Sequence, residues 1–310
     1  QNKVIWYDPI TVADKTFGNI HPRVTLDRNH KPMVIWGDDM GRIFLSKWVG
    51  RGFDTPMQVN TPGKQAFAES WAGPEIVSRG DTIYLTYKEL PENTGHVYIK
   101  HSYNGGKDFS IETQVDDSDN YISRFPTLAI DPYGHPLVAY LKLDPDYTNP
   151  RFVVAKSKDL GETFMGEALI TDYSGGKVSD CNPATISQSG NAAIILYRDN
   201  LNGQRNVWSA FSNNSGISFG KGLQVDQTNW MSKECPASPP HGVIISDTLY
   251  SVFSSSGGDS SLVYLSKASV TGMAATTAPI TGKFSGLTNQ SFPRIANYGN
   301  AIALSWIQSV

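Results

Sequence analysis

Ser102-Tyr103-Asn104-Gly105-Gly106-Lys107-Asp108-Phe109 decides the fold, because the chain repeats it. Two later stretches match it position by position. They are Ser157-Lys158-Asp159-Leu160-Gly161-Glu162-Thr163-Phe164 and Ser212-Asn213-Asn214-Ser215-Gly216-Ile217-Ser218-Phe219. All three read Ser-x-Asp/Asn-x-Gly-x-x-Phe. An earlier copy, Ser46-Lys47-Trp48-Val49-Gly50-Arg51-Gly52-Phe53, carries Trp48 in the acidic slot, and a more decayed one begins at Ser266-Lys267-Ala268. The serines stand at 46, 102, 157, 212 and 266, in steps of 56, 55, 55 and 54. Steps this even predict stacked or circular supersecondary units.

The repeated stretch has the chemistry of a hairpin turn. Its Asp or Asn side chain accepts backbone N–H bonds within its own loop. The Gly two positions on permits positive φ, and the Phe folds back into an apolar layer. Each copy follows a strand-like run, such as Val97-Tyr98-Ile99-Lys100-His101 or Phe152-Val153-Val154-Ala155-Lys156.

Outward from these turns, six units emerge. Each opens on a Pro-containing segment: His21-Pro22-Arg23-Val24, Gly73-Pro74-Glu75-Ile76, Phe125-Pro126-Thr127-Leu128, Asn182-Pro183-Ala184-Thr185, Ala237-Ser238-Pro239-Pro240 and Phe292-Pro293-Arg294-Ile295. A turn follows, then an apolar second strand such as Thr82-Ile83-Tyr84-Leu85-Thr86-Tyr87 or Ala301-Ile302-Ala303-Leu304-Ser305-Trp306, predicted to be buried on both faces. The third strand, the repeated turn and a short fourth strand complete the unit. The last unit supplies two strands and stops at Val310. Lys3-Val4-Ile5-Trp6-Tyr7 and Pro9-Ile10-Thr11-Val12, the second read as a short edge strand, are expected to complete it, which removes an open sheet edge. A flat β-solenoid would need no complementary half-units at its two ends.

The pattern resembles the Asp-box (BNR) repeat of sialidases and related β-propellers, over nearly the whole chain. The resemblance implies an all-β, six-bladed β-propeller of four-stranded blades in one domain, 1–310. It assigns a structural role to Ser102, Asn104, Gly106 and Phe109, to Ser157, Asp159, Gly161 and Phe164, and to Ser212, Asn214, Gly216 and Phe219. In that family the boxes lie on the face opposite the catalytic site. A narrower likeness covers units four and five, where Asp180-Cys181-Asn182-Pro183-Ala184, Tyr197-Arg198-Asp199, Trp230 and Cys235-Pro236-Ala237 are similar to secreted bacterial BNR-repeat proteins.

Composition agrees with a turn-rich all-β protein: 28 Gly, 18 Pro, 11% aromatic and 18% charged residues in 310. A net charge of −3 does not suggest a nucleic-acid binder or a polybasic membrane protein. No apolar run reaches the length of a membrane span, and these residues contain no signal peptide. The opening Gln1 is expected of a trimmed mature form or of a chosen boundary. Cys181 and Cys235 are the two cysteines. They lie one repeat apart in matching positions, either as a disulfide or as two buried thiols. Zinc is not expected, because no third or fourth ligand stands at useful spacing. A secreted, periplasmic or cell-surface monomer is expected, with no cofactor beyond a structural Ca²⁺. Asp38-Asp39 and Asp116-Asp117-Ser118-Asp119 are the acidic clusters where a cation would sit, or they are solvated turns.

The site is expected on the face away from the repeated turns, where long polar loops converge on the axis. A sialidase-like activity there implies arginines that clamp a carboxylate, a Tyr–Glu nucleophile and an acid/base carboxylate. Ser123-Arg124-Phe125-Pro126 is the nearest match to the family's first arginine motif. In Pro22-Arg23 and Pro293-Arg294 the arginine follows the proline and points to a different depth. The expected substrate-binding set is Arg124, Arg198, Trp71, Tyr121, Glu69 and Trp230, with Arg205 as a further loop arginine. Asp180, Glu234 and Tyr197 form the catalytic set, and Glu75 is a further acidic candidate. The alternative is a non-catalytic propeller that binds a carbohydrate or protein through the same mouth. Each aromatic could instead pack between blades, and each charge could be solvated or paired.

Overall fold

The computed structural model describes residues 7–117, 120–170, 177–256, 261–270, 275–280 and 289–309. They form six antiparallel sheets in chain order. The first sheet is β1 (Ile20–Leu26), β2 (Pro32–Gly37), β3 (Ile43–Lys47) and β4 (Met57–Gln58). The second is β5 (Glu75–Arg79), β6 (Thr82–Lys88), β7 (Val97–Ser102) and β8 (Thr113–Gln114). The third is β9 (Ile122–Ile130), β10 (Pro136–Leu143), β11 (Arg151–Lys156) and β12 (Ala168–Ile170). The fourth holds β13 (Lys177–Val178), β14 (Thr185–Ser189), β15 (Ala192–Asn200), β16 (Val207–Ser212) and β17 (Leu223–Gln224). The fifth is β18 (His241–Ile245), β19 (Thr248–Ser256), β20 (Ser261–Ser269) and β21 (Thr276–Pro279), and the sixth pairs β22 (Gln290–Tyr298) with β23 (Ala301–Gln308). The first strands β1, β5, β9, β14, β18 and β22 pack against one another in succession, the arrangement of a β-propeller.

Side chains alternate across a strand, so each central strand feeds two apolar slabs. In β6, Ile83, Leu85 and Tyr87 join Met33, Ile35 and Leu45 of the first sheet. Tyr84, on the other face, joins Val138 and Tyr140 of the third. Leu141 and Ile195 share the slab between the third and fourth sheets, and Leu196 and Phe253 the next. The predicted two-sided burial therefore holds for the inner sheets. It fails for β23, whose residues alternate between exposed and half-buried because its sheet has two strands among the described residues.

The three clear turns are built alike. Ser102 Oγ donates to Asn104 Oδ1 and accepts from Gly106 N–H, at 2.9 Å each. Ser157, Asp159 and Gly161 repeat this at 2.8 and 2.8 Å, and Ser212, Asn214 and Gly216 at 2.8 and 2.9 Å. The Asn or Asp then accepts an N–H further on: Lys107 at 3.1 Å, Thr163 at 2.9 Å, Ser218 at 3.0 Å. The glycines take φ of 72°, 97° and 80°. Phe109, Phe164 and Phe219 pack on the slabs. In the earlier copy the edge of one of the Trp48 and Phe53 rings meets the other's face, with centroids 5.5 Å apart, in place of the carboxamide bonds.

Three expectations change. Residues 9–12 carry no strand, and residues 1–6 lie outside the described residues. Ser266 lies inside β20 rather than at a turn. The first strand of the fourth sheet is interrupted: β13 and β14 both pair with β15, and residues 179–184 between them carry Cys181. Cys181 and Cys235 are bonded, with Cα atoms 6.2 Å apart.

Candidate functional site at the axial mouth

The turns join third to fourth strands, so antiparallel order puts the starts of the first strands on the opposite face. There, residues from all six sheets line one cavity. They include His21 and Arg23 of β1, Glu75 of β5, Phe125 of β9, Thr185 of β14 and Arg294 of β22, with Pro239 leading into β18. This cavity, the throat, holds about 10 Å³, and a second cavity of about 640 Å³ is lined by later residues of the first strands, among them Arg79, Ile130 and Ile244, toward the turn face.

A repeated backbone device aims these side chains. The residue before proline takes positive φ at His21 (52°), Phe125 (54°) and Phe292 (52°). The pairing register shifts across each of these X-Pro steps in β1, β9 and β22. Such bulges re-aim side chains at sheet rims and beside sites. Positive φ at a non-glycine residue costs about 1 kcal/mol or more. Gly73 makes room for the first of these residues: a Cβ there would lie 2.9 Å from His21 Cβ.

The charges interlock. Arg23 Nε donates to Glu75 Oε1 at 2.7 Å, and His21 Nε2 lies 3.1 Å from the same oxygen. His21 Nδ1 stands 3.4 Å from Arg23 Nη2. Burial, helped by Arg23 and Arg294, lowers His21 despite Glu75, so the ring is neutral at neutral pH. The Nε2–H tautomer then donates to Glu75 and accepts from Arg23 at Nδ1. Burial would raise Glu75, but Arg23, the His21 bond and Arg294 outweigh it and hold the carboxyl well below the usual range. Burial, then Arg294, pushes His241 down to about 3, and its Nδ1 accepts from Ile295 N–H at 3.2 Å. Burial and then Arg23 bring Arg294 down to about 10, so it remains a cation at neutral pH. Among the described residues Arg294 makes no hydrogen bond or ion pair. Two guanidinium groups thus face one carboxylate, and the throat carries a net positive charge.

The structure brings Arg198, Arg205 and Trp230 together near the Cys181–Cys235 bond, outside the lining of the throat, and disperses the other residues expected from sequence. Arg124 pairs with Glu92 and lies 4.4 Å from the Phe125 ring, on the rim rather than in the throat. Tyr197 is 1% exposed inside an apolar slab, out of reach of any substrate. Arg198 is fully buried and donates to the backbone oxygens of Arg205 and Ser254. Arg205 is also buried and reaches Ser179 Oγ at 3.3 Å. Trp71 packs on Phe125 at 4.9 Å, the expected alternative of packing between blades. Tyr121 is exposed, with Arg151 4.6 Å and Lys142 4.9 Å from its ring. Glu69 and Glu234 are exposed on inter-sheet connections, and Asp180 is exposed between β13 and β14 within the fourth sheet. Trp230 is half-buried over Arg198. Asp38 is the hub of a turn, bonding Arg42 at 2.6 Å and the N–H of Met40 and Arg42. Asp116 accepts from Val97 N–H at 3.0 Å, while residues 118 and 119 lie outside the described residues. No group of three or more metal-ligating side chains occurs among the described residues.

Sequence reasoning set Arg23 and Arg294 aside because they follow proline. That placement, shared by the first and last units, was the signal that they meet.

No family model and no curated protein matches the chain. Solved structures do match in fold. A protein of unknown function from Dyadobacter fermentans aligns with a TM-score of 0.65 at 13% identity, covering 97% of this chain and 93% of that one. The GH93 α-L-arabinofuranosidase of Fusarium graminearum aligns at 0.60 and 11%, covering 97% and 96%. A PL25 ulvan lyase aligns at 0.56 and 11%, covering 84% of this chain and 66% of that one. At these identities the likeness concerns the fold.

Proposed function

We propose that this chain is a glycan-directed propeller that takes an acidic sugar at its axial mouth. The sugar ring lies above the throat, whose cavity of about 10 Å³ has room for about one water, and Arg294 and Arg23 hold its carboxylate from below while Glu75 fixes Arg23. One observation carries the reading: Arg294 reaches the cavity as a cation that makes no hydrogen bond or close ion pair among the described residues, with Glu75, already bonded to Arg23, as its nearest counter-charge. A guanidinium in such a place suits bidentate capture of a carboxylate. Similarity in fold to an arabinofuranosidase and a polysaccharide lyase supports a glycan ligand by analogy.

The same reading makes residues 1–310 one six-bladed ring. Arg23 of the first sheet and Arg294 of the last line one cavity, which supports closure. The three like-built turns support the Asp-box resemblance, and the disulfide suits a secreted, periplasmic or cell-surface protein, which this reading takes as a monomer.

Hydrolysis by paired carboxylates needs two of them roughly 5 to 9.5 Å apart. Glu75 is the one carboxylate among the described residues lining the throat, and it is held ionised. That favours binding without turnover. In the hydrolytic form, the exposed Asp180 and Glu234 supply the acid/base pair.

The test is a microarray of acidic oligosaccharides, with a fluorogenic sialoside assayed beside it. A sialoside comes first because the turns resemble those of sialidases. Binding by the wild type that Arg294→Ala abolishes supports the reading, and sialoside hydrolysis selects its catalytic form. A wild type that binds no acidic glycan ends it.

A further inference from the structure

The mouth carries a second built feature, where the fourth sheet meets the fifth. Leu201 bridges Gln204 in a tight hairpin, and Gln204 bridges Met231 in turn. Arg205 N–H donates to Trp230 O and Ser232 N–H donates to Gly203 O, each at 2.8 Å. Residues 230–232 therefore run as an added strand on that hairpin. The Cys181–Cys235 bond and the Asn182 amide, which donates to Pro236 O, tie this connection to the segment between β13 and β14.

Beneath lies Arg198, with no exposed surface. One of its terminal nitrogens donates to Ser254 O at 2.9 Å and the other to Arg205 O. Its guanidinium carbon stands 5.4 Å from the centre of the Trp230 ring. A fixed cation against an aromatic ring holds that ring in place. On the same hairpin and added strand, Met231 is 65% and Leu201 37% exposed. Apolar side chains on a rigid polar base at the mouth do nothing for the core, and aromatic anchors of this kind give contact area at low entropic cost.

We infer that Trp230 is a stacking subsite for an uncharged pyranose unit of the glycan whose acidic unit sits at the axis. The inference rests on the glycan reading above. The C–H face of the sugar covers the indole, and Arg198 acts as a positioning residue beneath it.

The experiment titrates wild type, Trp230→Ala, Trp230→Phe and Arg294→Ala with acidic oligosaccharides of one to six residues, with thermal melts of each. Wild-type affinity should rise about tenfold or more once the ligand is long enough to reach Trp230. Trp230→Ala should lose that gain yet keep wild-type affinity for the single acidic unit, and Trp230→Phe should retain much of it. Arg294→Ala should weaken ligands of every length. A Trp230→Ala protein that keeps the length dependence overturns the subsite while leaving the axial reading intact. Equal loss for short and long ligands, with a lowered melting temperature, also overturns it, because Trp230 then serves only to cover Arg198. A wild type that binds none of the ligands removes the axial reading and this inference with it.

Discussion

Arg23 Nε donates to Glu75 Oε1 across 2.7 Å, tying the first strand of the first sheet to that of the second. Glu75 is also the counter-charge that keeps two arginines at one axis. Glu75→Gln should cost about 2 kcal/mol or more, because it leaves partly buried cations without compensation. The carboxyl is depressed in the folded state, so its stabilisation is complete above the ordinary glutamate range and declines as pH falls below about 4.3. Urea melts of both proteins from pH 7 to pH 3 should show a gap that is constant at neutral pH and narrows in acid. A gap independent of pH would show that Glu75 is not ionised in this role.

His241 behaves in the opposite sense. Its folded pKa is about 3, so below about 6.5 the unfolded chain takes a proton that the folded one refuses. Stability should fall as pH drops from 6.5 toward 3. His241→Gln should flatten part of that slope, as seen in melting temperature against pH. An unchanged slope would mean that the ring is protonated in the folded protein.

The Cys181–Cys235 bond spans 54 residues. On the chain-entropy account its loss should destabilise by about 4 kcal/mol. Calorimetry of Cys181→Ser/Cys235→Ser against wild type, with and without a phosphine reductant, checks this. The reductant should move the wild type and leave the variant where it is.

Gly216 answers two demands at once. Its φ is 80°, and a Cβ there would fall 2.0 Å from Leu137 Cδ2 of the neighbouring sheet. Gly216→Ala should therefore cost about 2 to 4 kcal/mol. At Gly220, where the nearest atom to an added Cβ is 3.8 Å away, alanine should cost far less. Chemical denaturation of the pair measures the difference.

These cases mark what the sequence could and could not disclose. The repeated turn is legible because its bonds are local: Ser212, Asn214, Gly216 and Phe219 fall within eight residues, and the pattern carries the physics. The slabs follow from period-2 burial in strands such as β6. The throat is not local. His21, Arg23, Glu75 and Arg294 come from three sheets, with His241 of a fourth on the wider cavity, and bulges at His21 and Phe292 set the direction of both arginines. A positive φ before proline has no signature in composition or spacing. Tyr197 and Arg198 follow an apolar run in sequence, yet β15 continues past them and keeps both buried.

The most direct test of the central claim is titration of an acidic oligosaccharide into wild type and Arg294→Ala by calorimetry. Loss of one charge-assisted contact should weaken binding about ten- to a hundredfold, with the melting temperature little changed. Equal affinity in the two proteins would contradict an acidic-sugar site at the axis.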